Sequence, residues 1–407
     1  MHNRTRAPKR GEASHSAGEA TALSPSASVE GVPAPLHTWL AMPMEPSARS
    51  TIERVRRADD VVHVAVMPDV HLANDVCVGT VMATRRLVYP SAVGGDIGCG
   101  MLAIGFDSDA TALRNPANAG LLLRALTEAV PIHRRHRSRT MPLPDVLRQD
   151  RLSHGALTGT LQDSGVLQMG TLGGGNHFIE LQADASDRLW LMIHSGSRAM
   201  GQAVKAHHLA RATLRSASMM ALDIETTAGQ AYLHDQHWAR AYAHANRQAM
   251  GGLVVDLLRE RFKINAARGL TIGCDHNHVQ REEHLGQPML VHRKGAMPAA
   301  TGQAGIVPGS MGTLSYHVTG RGCALSLRSS AHGAGRLLSR HAARERFNRR
   351  DLRRQMGEVW FDPRIADSLR EESPKSYKDV RAVLAAQEEL VRVDRVLKPV
   401  LVYKGCG

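Results

Sequence analysis

Val61-Val62-His63-Val64-Ala65-Val66 breaks sharply from the polar chain before it: five of its six residues are apolar and four of those are β-branched. A short apolar run of this kind reads as a buried strand. Upstream, residues 1–35 are rich in Ser, Ala, Pro, Arg and Gly without apolar periodicity, which predicts a disordered leader ahead of a domain spanning 36–407. Downstream, the pattern predicts strands at 78–88 and 101–106 and a helix at 121–130. From 228 to 262, Ala, Leu, Met and Val recur at three- and four-residue spacing, the signature of a long helix. Strands return at 270–273, 288–292 and 314–318, and two more helices are expected at 336–356 and 378–396. Strands and helices are interspersed and no repeat period is visible, so the expected class is α+β in a single large domain with mixed sheets.

The composition excludes several classes. Hydrophobic residues make up 43% of the 407, enough for a sizeable core. No run of eighteen apolar residues exists, which argues against a membrane-spanning helix. Five cysteines without a CxxC pair argue against a disulfide scaffold or a zinc ribbon. The Met1-His2-Asn3-Arg4 start lacks an apolar signal region, so a cytoplasmic location with no membrane partner is expected. The net charge of +13 invites a polyanion. With only 4% aromatic residues, Arg and Lys would carry such binding, and Arg134, Arg135, Arg137 and Arg139 form one basic stretch.

Several glycine-rich segments concentrate chemistry. Gly94-Gly95-Asp96-Ile97-Gly98-Cys99-Gly100 can aim a carboxylate and a thiolate at one point, although a buried structural Cys would look the same. Gly173-Gly174-Gly175-Asn176-His177-Phe178-Ile179-Glu180 leaves backbone N–H groups open to phosphate oxygens. It matches neither a P-loop nor a dinucleotide fingerprint. His194 and His276 each sit where an apolar strand opens into a polar loop. With Asp96, Cys99 and His177 they form a donor set suited to Mn, Fe, Co or Zn rather than Mg or Ca. In His332-Gly333-Ala334-Gly335-Arg336, small residues admit a phosphate to the start of an expected helix, and a neutral imidazole can attack phosphorus. Lys404 adds a single ammonium near the end.

These segments, together with Pro68-Asp69-Val70-His71, His292-Arg293-Lys294-Gly295-Ala296 and Pro308-Gly309-Ser310-Met311-Gly312, resemble the RtcB RNA-splicing ligases in identity and order from about Val61 to Lys404. The resemblance implies a central dinuclear metal cleft with two Mn2+ ions and GTP as nucleotide donor. Asp96, Cys99 and His177 match the ligands of one ion, and Cys99, His194 and His276 those of the other, with the thiolate bridging. His332 matches the guanylylated nucleophile. Asn176, Phe178, Glu180, Ser310, Ser315, Gly333, Ala334, Tyr377 and Lys404 fall at the positions that line the guanylate pocket. Arg198, Arg293 and Arg336 are implied contacts for RNA phosphates. The implied substrate is RNA with a 3′-phosphate or 2′,3′-cyclic phosphate and a 5′-hydroxyl, and no helper protein is specified.

One segment departs from the family. Leu72-Ala73-Asn74-Asp75-Val76-Cys77 has Ala73 and Asp75 where the family carries glycines, which predicts an altered turn and a divergent paralogue with its own RNA. The competing reading is an RNA-binding relative that guanylylates poorly or does not seal. Arg340, Arg344, Arg346, Arg349, Arg350, Arg353 and Arg354 crowd the expected 336–356 helix, and are expected to follow the RNA backbone.

Overall fold

A computed structural model describes residues 32–284 and 286–405. Residues 1–31 of the expected leader lie outside the described residues. Within 32–35, Ala34 is buried and its N–H donates to the Arg56 carbonyl at 2.8 Å.

The Val61 run becomes part of the strand Val61–His71, second in a five-stranded sheet. The order is Leu36–Thr38, Val61–His71, Val78–Thr84, Gln287–Lys294 and Asn277–His284. A seven-stranded antiparallel sheet runs Ala266–Asp275, Gly100–Asp109, Arg188–Ser195, Phe178–Asp184, Val391–Lys404, Ser315–Gly320 and Ala304–Val307. Alternation along the strands gives each sheet two apolar faces. Ala65, Met67, Val81 and Val291 of one sheet meet Met101, Trp190, Met192 and Tyr316 of the other in a shared core. Val64, Val66 and Met82 point the opposite way, onto Ile52 and Val55 of the helix Pro46–Val55. Leu102, Leu181 and Ile193 turn outward onto Met250, Val254 and Leu258 of the long helix Thr227–Phe262. The result is a mixed α and β domain with several sheets. Truncating a core side chain such as Trp190 to Ala costs about 3–5 kcal/mol in comparable settings.

The long helix matches its expected bounds to within a residue. The Thr226 hydroxyl caps it by accepting from Gly229 N–H, and Lys263 closes it in a left-handed conformation at φ 60°.

Two expected helices need correction. Residues 378–396 contain a short helix, Val380–Ala385, and then the start of the strand Val391–Lys404. Val391, Val393, Val396, Val400 and Val402 favour extended backbone, and pairing on both edges outweighs local helical spacing. The expected 336–356 helix is two helices, Arg340–Arg346 and Arg349–Met356, parted where Asn348 and Asp351 form a capping box. No helix therefore opens at Arg336, and the phosphate-cradling helix start expected beside His332 is not formed. The expected 78–88 strand likewise divides into Val78–Thr84 and Leu87–Val88.

Sheet register gathers the chemistry at one end. Gly100 pairs with Ser195, Phe178 with His194, Lys404 with Phe178, and Asp275 with Gly100. Cys99, His194, Phe178, Lys404 and His276 thus emerge side by side, although the sequence spreads them over three hundred residues.

Candidate active site

Cys99 is the hub of the first half of the site. Its Sγ lies 3.5 Å from His177 Nε2 and 3.2 Å from His194 Nε2. His177 Nε2 lies 2.9 Å from Asp96 Oδ2, and His194 Nε2 lies 3.3 Å from His276 Nε2. Two donor groups result, Asp96–Cys99–His177 and Cys99–His194–His276, and they share the sulfur. In each group the ligand atoms lie within 4.8 Å of one another.

The imidazoles are oriented from behind. His177 Nδ1 donates to the Leu172 carbonyl at 3.0 Å and His194 Nδ1 to the Asn176 carbonyl at 3.2 Å. A carbonyl only accepts, so the proton belongs on Nδ1 and the Nε2 lone pair faces the sulfur. Gly173, at φ +95°, lets the turn close over this arrangement, because a Cβ there would overlap Arg198 and His177.

Burial sets the electrostatics. It lowers the pKa of His194 and His276 well below the ordinary imidazole value, with neighbouring imidazoles adding to the effect. Burial, reinforced by Asp96, pushes the Cys99 thiol well up. For Asp96 burial acts upward, yet His177 outweighs it and holds the carboxyl at about 2. Lone pairs from sulfur, imidazole and carboxylate thus converge with too few protons to share. A divalent cation of the softer, nitrogen- and sulfur-accepting kind fits that donor chemistry.

His332 forms the seam with the second half. Its ring centroid lies 4.5 Å from that of His276. Asp69, fully buried, accepts from His332 Nδ1 at 2.6 Å and from the His332 backbone N–H at 3.2 Å through the same oxygen. That fixes the ring and leaves the lone pair on Nε2. Gly335, at φ +75°, makes the approach possible, since a Cβ there would overlap the Asp69 carbonyl.

Beyond His332 a charged network closes the site. Glu372 Oε1 accepts from Arg336 Nη1 at 3.1 Å and from Arg340 Nε at 3.2 Å. Lys404 Nζ lies 3.4 Å from Glu372 Oε2, which also accepts from the Tyr377 hydroxyl. Lys404 stands 5.6 Å from the Phe178 ring centroid. Glu180 is buried as well, and desolvation raises its pKa to about 8 although Gln182 donates to it at 2.6 Å. Gly309 N–H donates to Ser315 Oγ at 3.2 Å, and Ser310 N–H to Thr313 Oγ1 at 2.7 Å, which shapes the hydroxyl loop.

Both halves open into one cavity of about 370 Å³. Asp96, Cys99, Asn176, Phe178, Glu180, His194, His276, Ser310, Ser315, His332, Gly333, Ala334, Tyr377 and Lys404 all line it, and His177 backs it through Cys99 and Asp96. A cavity this size suits a small ligand such as a nucleotide.

With that geometry in place, comparison with known proteins is direct. The family model described as tRNA-splicing ligase RtcB matches residues 51–158 and 146–405. RNA-splicing ligase RtcB of Escherichia coli (strain K12) is 36% identical over 403 residues, covering 91% of this chain and 98% of that protein. RNA-splicing ligase RtcB2 of Escherichia coli (strain ATCC 25922) is 29% identical over 362 residues, covering 84% and 87%. The tRNA-splicing ligase RtcB of Nanoarchaeum equitans is 29% identical over 424 residues, covering 85% and 88%.

The chain belongs to the RtcB family.

Within this RtcB frame, Arg336 lines the cavity, but Arg293 does not. Arg293 is fully buried, bonded to Ser329 Oγ at 2.9 Å and paired with Glu282, so it serves the fold. Arg198 is turned inward to Thr171 Oγ1 and the Ile132 carbonyl, bracing the Gly173 turn. Of the two positions expected to alter the turn, Ala73 does not take a positive φ, whereas Asp75 does. Asp75 adopts φ 59°, the left-handed geometry a glycine would supply, and its Oδ2 accepts from Ser91 Oγ at 3.0 Å. Short polar side chains tolerate that region. Among the described residues no helix is long and apolar enough to cross a membrane.

Sequence reading gave no role to Asp69, Glu371 or Glu372. Asp69 stood in the quoted Pro68-Asp69-Val70-His71 motif, where its partner at position 332 was too distant to infer. Glu371-Glu372 offered the one usable signal, two adjacent carboxylates shortly before Tyr377.

Proposed function

We propose that this RtcB protein is a GTP- and Mn-dependent RNA ligase. It joins 3′-phosphate or 2′,3′-cyclic phosphate ends to 5′-hydroxyl ends, in RNA repair or splicing. The observation that carries this reading is His332: its Nδ1 is held by Asp69 and its ring lies 4.5 Å from His276 at the wall of the cavity. Manganese held by Asp96, Cys99 and His177 and by Cys99, His194 and His276 would supply positive charge against phosphate oxygens.

The steps are those the family resemblance implies, assigned here to residues of this chain. His332 Nε2 attacks the α-phosphorus of GTP; an N–P bond forms and the bond to pyrophosphate breaks. Asp69 keeps the Nδ1 proton and offsets the charge that develops on the ring. Arg336 and Arg340, which line the cavity, offer positive charge to the departing anion, while Phe178 and Glu180 contact ribose and guanine and Lys404, beside the Phe178 ring, lines the guanylate pocket. A cyclic RNA end is first hydrolysed to the 3′-phosphate, whose oxygen takes GMP from His332 to form a mixed anhydride. The 5′-hydroxyl then attacks the 3′-phosphate, the strand is sealed, and GMP leaves. Asp75 in the glycine-like turn favours a sealing enzyme over a relative that only binds RNA. A cytoplasmic location is part of the proposal, since a reducing compartment keeps Cys99 available as a ligand.

Incubation with α-labelled GTP and Mn2+ should yield an acid-labile, alkali-stable protein adduct. His332→Ala should abolish both the adduct and sealing of a 3′-phosphate RNA to a 5′-hydroxyl RNA. Equal labelling of the variant would defeat the assignment.

A further inference from the structure

The 133–139 loop, His133-Arg134-Arg135-His136-Arg137-Ser138-Arg139, has no part in the chemistry above, yet it adjoins the site. We infer that its exposed arginines form a phosphate-binding track for the RNA strand leading to the ends being joined. The inference rests on the ligase reading and extends it to substrate engagement.

Position is the first argument. The Ile132 carbonyl accepts from Gly173 N–H at 2.8 Å and from Arg198 Nη2 at 3.3 Å, so the loop departs from the turn that carries Asn176 and His177. Ile132 also packs beside Gly405, the residue after Lys404. The loop therefore starts behind the turn that carries Asn176 to the cavity, and its residues 133, 134 and 136–139 are exposed. Seven residues reach at most about 25 Å, a span of several nucleotides.

Charge is the second. No acidic residue occurs from 131 to 144, and among the described residues Arg134, Arg137 and Arg139 form no ion pair. All three are exposed. The arginines of the Arg340–Arg346 and Arg349–Met356 helices, expected to follow RNA, stand in another setting. Arg340 and Arg344 pair with Glu371, Arg349 with Asp367 and Arg354 with Asp351. Much of that helical charge is already spent on carboxylates, whereas the loop's charge is not.

Rigidity is the third. Arg135 pins the loop: its Nε donates to the Met169 carbonyl at 3.1 Å and its Nη2 to the Ala129 and Gly170 carbonyls at 2.8 and 2.9 Å. The His136 ring caps the turn Arg137–Arg139 by accepting from Ser138 N–H at 3.3 Å. Cations on a pinned frame lose less conformational freedom on binding phosphate than cations on a slack one.

The test replaces Arg134, Arg137 and Arg139 with Ala together, leaving Arg135 in place, and compares Arg346, Arg350 and Arg353 replaced likewise. Binding is measured across a salt series with single-stranded RNAs of about twelve nucleotides, one ending in a 3′-phosphate and one beginning with a 5′-hydroxyl. If three phosphates are contacted, the loop variant's log–log salt slope falls by about 2 for at least one RNA. His332 guanylylation by GTP stays at the wild-type level, and Lys at the three positions restores the slope. Trinucleotide RNAs, too short to reach the loop, bind both proteins alike. An unchanged slope with intact guanylylation overturns the track. An equal fall in the helix variant also overturns it, because general charge would then suffice. Absence of guanylylation in the wild-type protein instead defeats the ligase reading.

Discussion

The two ends of the cavity are built on opposite principles. At the Cys99 end, the ligand atoms face one another: His194 Nε2 and His276 Nε2 stand 3.3 Å apart, and burial keeps both rings from taking up protons. At the Glu372 end the charges are already paired internally, and Arg336, Arg340, Lys404 and Tyr377 converge on one carboxylate. The first end has the donor chemistry of a cation site. The second is complete already, and its surplus positive charge is preorganised for an anion. His332 joins them, touching His276 on one side and held by Asp69 on the other.

The strongest way to break this contrast is Cys99→Ala. Because both donor groups share this sulfur, manganese affinity should fall by about 100-fold or more at both positions together. Elemental analysis after dialysis should find neither equivalent retained, and sealing should be lost. Retention of one full equivalent would show two independent sites and end the idea of a shared ligand.

Glu372→Gln probes the other end with a smaller effect. Removing the carboxylate leaves Arg336 and Lys404 without their common counter-charge, and breaking a buried pair costs about 3–5 kcal/mol. A clear fall in Tm and at least a tenfold fall in guanylylation are expected, with manganese stoichiometry unchanged. Coupled loss of metal would show that the two ends are one electrostatic unit.

This difference also explains what could be read without a structure. The Cys99 end was legible because its donors are rare residue types in short glycine-rich motifs, and resemblance to the RtcB ligases gave them an order. The Glu372 end was only partly legible. Lys404 and Tyr377 were expected, but Glu371 and Glu372 sit in short helical turns near 368–376 whose packing no periodicity announces. Asp69 escaped for a related reason, since its function lies in a contact across 263 positions. The fold followed the same rule. The Thr227–Phe262 helix was visible from local spacing, whereas the Val391–Lys404 strand is fixed by neighbours on both edges and was misread as helix. Arg293 was misplaced because a buried ion pair and a phosphate contact look alike in one dimension.

The smallest effect expected is at the rim, where Asp75→Gly asks whether the family's departure touches either end. The Lys294 ammonium, which helps line the cavity, donates to the Asn74 carbonyl at 3.1 Å, and Arg54 Nη2 donates to the Asp75 carbonyl at 2.7 Å. Both contacts use backbone oxygens, so they survive any side chain that keeps φ near 59°. Glycine keeps it freely. It loses the Ser91 hydrogen bond, worth about 1 kcal/mol, and relieves a left-handed residue of about 1–2 kcal/mol. The two nearly cancel, so Tm should move little and sealing should stay within about twofold of wild type. Asp75→Val differs in kind: a β-branched residue is excluded from this φ, the turn must open, and the Lys294 contact goes with it. If the rim steers RNA and does not hold GTP, sealing by that variant should fall at least about tenfold while guanylylation of His332 persists. If glycine proved as damaging as valine, the Asp75 carboxylate itself would be required, and the rim would belong to the chemistry of the site.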